Sequence, residues 1–310
     1  MPPTKPDSVA ISGLLAGATV WGLIWYPYRM LEQAGISGAL AATLTYGGAM
    51  AGGLILLRRH LRHFKPSWLL LLIGLTAGGC NLGYVLATLH GEVMRVLLLF
   101  YLAPLWTVLL SRLLLNERLS AAGAGVIALS LGGAATMLWQ APLAIPVPRG
   151  LAEWLGLASG FLFALSNVLV RMTPQLSIEV KSLSVFGGVI LLGLLALMLT
   201  GTPLPPLPSL LVPQIFLMLA LLSVVLLAIN LAVQYGLSHT PANQAIVIFL
   251  FELVVAALSS WLLAEEVMTL KEWLGGAMIV AASLFSGSLG KPTKEQEDLN
   301  KEDRRTREML

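Results

Sequence analysis

The sequence predicts an all-α membrane protein with ten transmembrane helices arranged as two inverted five-helix repeats. Three observations predict it. Of the 310 residues, 57% are hydrophobic and only 11% are charged, about half the charge share of a soluble domain. Mean hydropathy is +0.83, and apolar runs recur from end to end, each long enough for the ~20 residues that cross ~30 Å of hydrocarbon. The lysines and arginines collect in alternate connections, which is how a multi-pass chain is oriented. A membrane barrel would instead show short alternating segments.

Breaks at charges, prolines and Gly/Ser clusters divide the chain in order. The first span, 9–31, is apolar from Val9 onward and long enough to remain as a span rather than act as a cleaved signal. The second, 36–57, stops at "RRHLRHFK", the most decisive topology anchor. The third is 67–88, after Pro66. The fourth, 92–115, holds Pro104 and ends at "NERLS". The fifth, 119–139, is rich in small residues and precedes a Pro-rich connection at 140–150. The sixth, 151–171, ends at Arg171, and the seventh, 181–200, ends at "GTPLPPLP". The eighth, ninth and tenth are 210–236, 242–264 and 270–289. Residues 1–8 and the charged tail 290–310 flank them, and the tail reads as a solvated extension.

With a cytoplasmic N-terminus, 15 of the 19 basic residues lie on the inside: Lys5, Arg58, Arg59, Arg62, Lys65, Arg112, Arg118, Arg171, Lys181 and the six of the tail. Arg29, Arg95, Arg149 and Lys271 fall at outer ends. This bias puts both termini in the cytoplasm. Trp68, Trp139, Trp154, Trp261 and Trp273 lie near span ends, where an interfacial belt belongs. The +3 net charge therefore reflects topology and is no sign of a nucleic-acid partner. The single cysteine, Cys80, excludes an intramolecular disulfide and a Cys-based cluster. His60, His63, His90 and His239 map near span ends without metal-ligand spacing. No metal or other cofactor is implied.

The chain is doubled. "GLLAG" at 13–17 matches "GLASG" at 156–160, and "LLNERLS" at 114–120 matches "LAEEVMT" at 263–269, so Glu117 aligns with Glu266. A repeat of five spans re-enters the membrane upside down. The charges agree: Arg112 and Arg118 follow span 4, whereas Glu265 and Glu266 follow span 9. Such symmetry serves a transporter, in which two related bundles expose a midplane site alternately.

"FYLAPLWTVLLSRLLLNERLS" (100–120) and "FLFELVVAALSSWLLAEEVMTLKEWLGGAMIV" (249–280) resemble the drug/metabolite transporter superfamily, specifically its members with two EamA-type repeats. "GEVMRVLLLFYLAPLW" with "INLAVQYGLSHTPANQA" is most similar to the YddG-type aromatic amino acid exporters. The resemblance implies export of amino acids, aromatic and other neutral ones included, across the bacterial inner membrane by alternating access. It also implies a basket in which spans 1, 3, 4, 6, 8 and 9 line a central cavity and spans 5 and 10 lie outside. The expected oligomeric state is a monomer or weak homo-oligomer, with the lipid bilayer as surroundings. Many members carry Glu-Pro in the ninth span. Here the pair is Glu252-Leu253, and proline is kept only at Pro104.

Polar side chains within spans must face protein or a wet cavity. Asn81, Tyr84 and Thr88 share a face of span 3, as do Asn230 and Gln234 of span 8. In span 6, Ser159, Phe163 and either Ser166 or Asn167 align, and in span 9 a stripe runs from Gln244 through Ile248, Glu252 and Ala256 to Ser259. Such residues also serve plain helix–helix bonding. Trp21 is deep enough to line the cavity, whereas Trp25 and Tyr28 read as interfacial. Trp21, Tyr84, Tyr101 and Phe163 would form an aromatic wall suited to large apolar side chains. Pro104 is the hinge candidate: it lacks a donor and clashes with the carbonyl of Phe100. Gly13/Gly17, Gly48/Gly52, Gly79/Gly83 and Gly156/Gly160 are close-packing pairs.

Glu252 lies about 15 Å into its span by helical rise, near the midplane. Three readings stand open for it: an interhelical hydrogen bond, a carboxylate for a substrate ammonium group, and a proton carrier in antiport. Glu92 and Arg95 read as a surface pair. Another solute, such as a drug, nucleotide sugar or sugar phosphate, is the alternative cargo. A phosphorylated one would call for mid-membrane lysine or arginine, and none is placed there. A membrane-embedded enzyme would need converging acid, base or metal groups, and Glu252 is the single acid placed near mid-membrane.

Overall fold

A computed structural model of the chain describes residues 8–58, 67–90, 96, 99–117, 119–138, 148, 150–263 and 269–285. The anchor loop with His60 and His63, the pairs Glu92/Arg95 and Glu265/Glu266, Trp139 and the charged tail lie outside the described residues. Ten helical rods follow in order: α1 Ser8–Gln33, α2 Gly38–Leu56, α3 Trp68–His90, α4 Ala103–Leu115, α5 Ala121–Leu138, α6 Leu151–Met172, α7 Ile178–Thr200, α8 Pro213–His239, α9 Ala242–Leu263 and α10 Leu270–Phe285. Helical turns also occur at Phe100, before α4, and at Leu207–Leu210. Among the described residues α1, α2, α6, α7, α8 and α9 are each long and apolar enough to cross a membrane. α3, α4, α5 and α10 contribute shorter apolar stretches. The chain is a multi-pass membrane protein. Its outward faces carry Leu54, Ile55, Leu191, Met198, Phe216, Leu217 and Val224 exposed, the opposite of a water-facing surface and what lipid requires.

Helix starts follow local chemistry. Ser37 caps α2 by accepting from Leu40 N, and Ser177 caps α7 by accepting from Val180 N. The two caps occupy matching places in the two halves. α7 ends at Gly201 in the left-handed region (φ 61°), where the absence of a Cβ removes the steric penalty.

The packing repeats with the chain. Helix n of the first half corresponds to helix n+5 of the second. Under that exchange the α3–α7 pair becomes α8–α2, α3–α6 becomes α8–α1, and α4–α6 becomes α9–α1; each of these is a close pair. The pairs α2–α7, α4–α9 and α5–α10 map onto themselves and are also close. α5 and α10 pack mainly on each other, to the side of the bundle.

Small residues allow these approaches. A Cβ on Gly13 would sit 2.7 Å from Ala232 O, and Gly160 lies against Phe100 O. All four GxxxG pairs meet a neighbouring helix. A further seam, less plain in the sequence, joins α3 to α7: a Cβ on Gly78 would lie 2.5 Å from Gly188 O, and Gly188 rests on Gly74 O. Backbone against backbone leaves nothing that can rotate away.

Trp25 and Tyr28 depart from the interfacial expectation. Trp25 Nε1 donates to Ser259 Oγ at 2.9 Å, and Tyr28 Oη lies 2.8 Å from Thr45 Oγ1. The rotation of α1 that seats Gly13 and Gly17 on α8 turns these polar heads toward α9 and α2, where hydroxyl partners are available.

Candidate functional site

The centre of the bundle is built on two interrupted helices. α9 breaks at Leu250, where Leu253 N bonds back to Leu250 O at 3.1 Å instead of continuing the α pattern. In the first half the corresponding turn is Tyr101–Leu102, with Leu105 N bonding to Leu102 O at 2.9 Å. The offset that aligns the two helix-end motifs, 149, carries residue 101 to 250. Both halves therefore break at the same place, although only the first has a proline there. Pro104 lies in the first turn of α4, where its missing N–H costs no helical bond. The break thus begins before the proline, and α9 has a break of its own without one.

Just before each break stands a phenylalanine, Phe100 and Phe249, and both touch Phe163 of α6 at ring separations of 5.7 and 5.4 Å. Trp21 packs on Phe249 at 5.5 Å, Tyr84 on Phe100 at 5.2 Å, and Tyr101 on Phe100 at 5.3 Å. Glu252, in the first turn of the second part of α9, lines a cavity of about 10 Å³ with Tyr101, Pro104, Phe163 and Phe249. That volume fits about one water molecule. Among the described residues the aromatic rings lie against one another here and leave a cavity of that size beside Glu252.

Of the sequence-derived candidates, the structure gathers Trp21, Tyr84, Tyr101, Pro104, Phe163 and Glu252 at this centre. Asn81, one turn before Tyr84 on α3, donates to Ala77 O at 3.0 Å and accepts from Tyr46 Oη at 3.4 Å. Ser259 locks α1 to α9, lying 3.1 Å from Gly22 O. Asn167, Asn230, Gln234 and Gln244 are all buried, and each leaves one polar atom without a partner: Asn167 Nδ2, Asn230 Oδ1, Gln234 Oε1 and Gln244 Nε2. The pivotal Phe100 and Phe249 are absent from the sequence-derived set. The repeat offset of 149 relates them, and that signal was there to find.

Sequence reasoning also missed a charged cluster at the end where α6 and α8 finish and α9 begins. Asn116, in the left-handed region (φ 55°), ends α4 and reverses the chain, as asparagine does at little cost. Glu117 then reaches α9, its Oε2 accepting from Ala242 N at 3.2 Å. Arg171 Nε lies 3.9 Å from Glu117 Oε1, and its Nη1 donates to Ser238 O at 2.6 Å. Lys181, 1% exposed, donates to Val170 O at 2.9 Å and to Ser238 Oγ at 3.0 Å. The two cations thus meet the C-terminal ends of α6 and α8, and the carboxylate meets the N-terminal end of α9, the favourable sense in each case. Burial pushes the Glu117 carboxyl above its usual range, with Arg171 and the Ala242 and Asn243 N–H groups pulling against that rise. Ser111 Oγ adds a bond to Asn243 Oδ1 at 3.2 Å.

Residues 150–288 match the EamA-like transporter family. The matched segment is the second half of the chain. It contains α6 to α10, and with them Phe163, Phe249, Glu252 and both cations of the charged cluster. A solved structure, described as "Crystal structure of protein", superposes with a TM-score of 0.74 at 18% identity, over 94% of this chain and 100% of that one. At that identity the likeness is one of fold, and it extends beyond the EamA-like half. No curated protein matches the chain.

Proposed function

We propose that the whole chain is a drug/metabolite-type secondary transporter that exports amino acids, aromatic and other neutral ones included, across the bacterial inner membrane by alternating access. In this reading residues 9–139 and 151–289 are the two repeats, joined by an external linker at 140–150, and both termini are cytoplasmic. The observation that carries the proposal is Glu252 beside the paired helix breaks, facing a pocket walled by Phe100, Tyr101, Phe163 and Phe249. A carboxylate among rings offers an ammonium group one charged partner and π faces around it, while an aromatic or aliphatic side chain gains dispersion against the same rings. The pocket lining contains no lysine or arginine, which disfavours a phosphorylated cargo. The EamA-like match of the second half supports transport, and the exchange symmetry of the packing supports a site at the interface of the halves.

Purified full-length protein in proteoliposomes, loaded with a panel of labelled amino acids under several imposed pH gradients, tests the reading. Net flux of aromatic and neutral amino acids is expected, falling at least tenfold in Glu252→Gln. If well-folded protein moves none of the panel, the substrate assignment is wrong. A variant that keeps both flux and its pH dependence removes Glu252 from the mechanism.

A further inference from the structure

Along their helices Asn167 lies between Phe163 and Arg171, and Gln244 between Ala242 and Phe249; with Asn230 and Gln234 of α8 they make four buried amides with unpaired atoms. Asn167 is one turn before Arg171 on α6. Gln244 is in the first turn of α9, and Asn230 and Gln234 precede Ser238 on α8. Each has an atom without a protein partner, whereas buried polar groups are nearly always paired. Trp106 Nε1, Thr107 Oγ1, Ser159 Oγ and Ser182 Oγ share this state, but the packing of three neighbouring helices gives no reason for four whole amides among them. A passage that closes when these helices come together does, because its wall must be polar when open.

The charged cluster stands at the mouth of that passage. It ties the end of α4 to the start of α9 through Glu117, and the end of α6 to the end of α8 through Arg171 and Lys181. The Glu117–Arg171 pair joins the two ties. The other half has no match for Lys181. Aligning the cap serines (177 − 37 = 140) places Ala41 opposite Lys181 (181 − 140 = 41). Aligning the glycine pairs (156 − 13 = 143) places Tyr28 opposite Arg171 (171 − 143 = 28). Arg29 stands beside that position, so Arg171 has a near counterpart, whereas Lys181 has none; the bonds of Lys181 are not part of what the repeat needs in order to pack.

We propose that Glu117, Arg171 and Lys181 form the latch of the inner gate, which must part before the amide-lined passage between α6, α8 and α9 opens toward the cytoplasm. This rests on the transporter reading above. The three residues position the helix ends and do not touch the substrate at the centre. Breaking the latch biases the bundle toward the inward-open form and leaves the outer closure, where Trp25 meets Ser259, unaltered.

The test uses the full chain with Cys80→Ala and a reporter thiol in the passage, Gln244→Cys or, separately, Asn167→Cys. A membrane-impermeant maleimide is applied to inside-out and right-side-out vesicles. Glu117→Gln and Arg171→Gln are expected to speed labelling from the inside-out preparation roughly tenfold, the factor for losing one charge-assisted contact, with no change from the other face. In a separate Cys80→Ala protein without the reporter, Glu117→Cys with Ala242→Cys, oxidised to a disulfide, is expected to stop flux until reduced. Size-exclusion profiles identify variants that merely misfold, and the disulfide pair tests the gate without removing a cation. Faster labelling in the latch variants, even where wild-type protein moves no solute, keeps the latch and overturns the transport reading. Wild-type flux with labelling indifferent to the variants and flux indifferent to the disulfide overturns the latch and leaves transport standing.

Discussion

Phe100 and Phe249, 149 positions apart, each precede a helix break and rest on the same ring, Phe163, at 5.7 and 5.4 Å. The two halves thus meet across one side chain of α6, and that side chain closes the pocket beside Glu252. Phe163→Ala should open the centre at a cost of about 3 kcal/mol, the low end for a phenylalanine truncation because the ring is only partly buried. Chemical unfolding in detergent measures the loss. Competition by amino acids with large side chains should strengthen in the same variant.

The break in α9 at Leu250 forms without proline, which limits what Pro104 contributes. Pro104→Ala should leave the Tyr101–Leu102 turn in place and change stability by less than about 1 kcal/mol. A structure of the variant, or crosslinking across the turn, checks this. A continuous helix from 99 to 115 would show that the proline sets the break after all.

Gly188 has the backbone of Gly74 against it. Gly188→Leu cannot be accommodated by a rotamer change, so α3 and α7 must separate. The expected cost is about 3 kcal/mol or more, read as loss of a monodisperse peak on gel filtration. Gly47, inside α2 with open space around its Cβ position, is the control, and Gly47→Ala should leave stability unchanged or raise it by up to about 1 kcal/mol.

Trp25 and Ser259 are 234 residues apart and hydrogen-bonded at 2.9 Å. A double-mutant cycle with Trp25→Phe and Ser259→Ala should return a coupling of about 0.6–1.7 kcal/mol, the range for interhelical bonds in membranes. Zero coupling would return Trp25 to the interfacial role expected of it from sequence.

Glu117 gives a pH dependence with a definite sign. Its carboxyl is raised in the folded protein, chiefly by burial, so the native state holds the proton more tightly than the unfolded chain. Stability from this group is complete below the unfolded value of about 4.5 and declines as pH rises toward and through the native value. Glu117→Gln removes that decline. The stability of wild type minus that of the variant should therefore fall between pH 4.5 and 7.5, measured by unfolding at both pH values. A difference that rises over this range would mean that Arg171 and the α9 N–H groups outweigh burial.

The sequence by itself determined the membrane class, the doubling and most of the described spans to within a few residues; the fourth, expected over 92–115 as one span, is broken by the turn at Tyr101–Leu102 and runs on as α4 from Ala103. Apolar length and the need for each helix to satisfy its own backbone in lipid are properties of local stretches of chain. The sequence marked a break only at Pro104; the break at Leu250, at the same repeat offset, came from the structure. Only the tertiary structure decided which side chains meet. Helix rotation turned Trp25 inward, gave Asn81 a partner in Tyr46 and set Phe163 between two phenylalanines. It brought Glu117 to Arg171 although the charge pattern marked Arg171 only as a topology residue. These outcomes depend on how rods far apart in the chain rotate and seat on one another, and small-residue packing fixes that only when all the rods are in place.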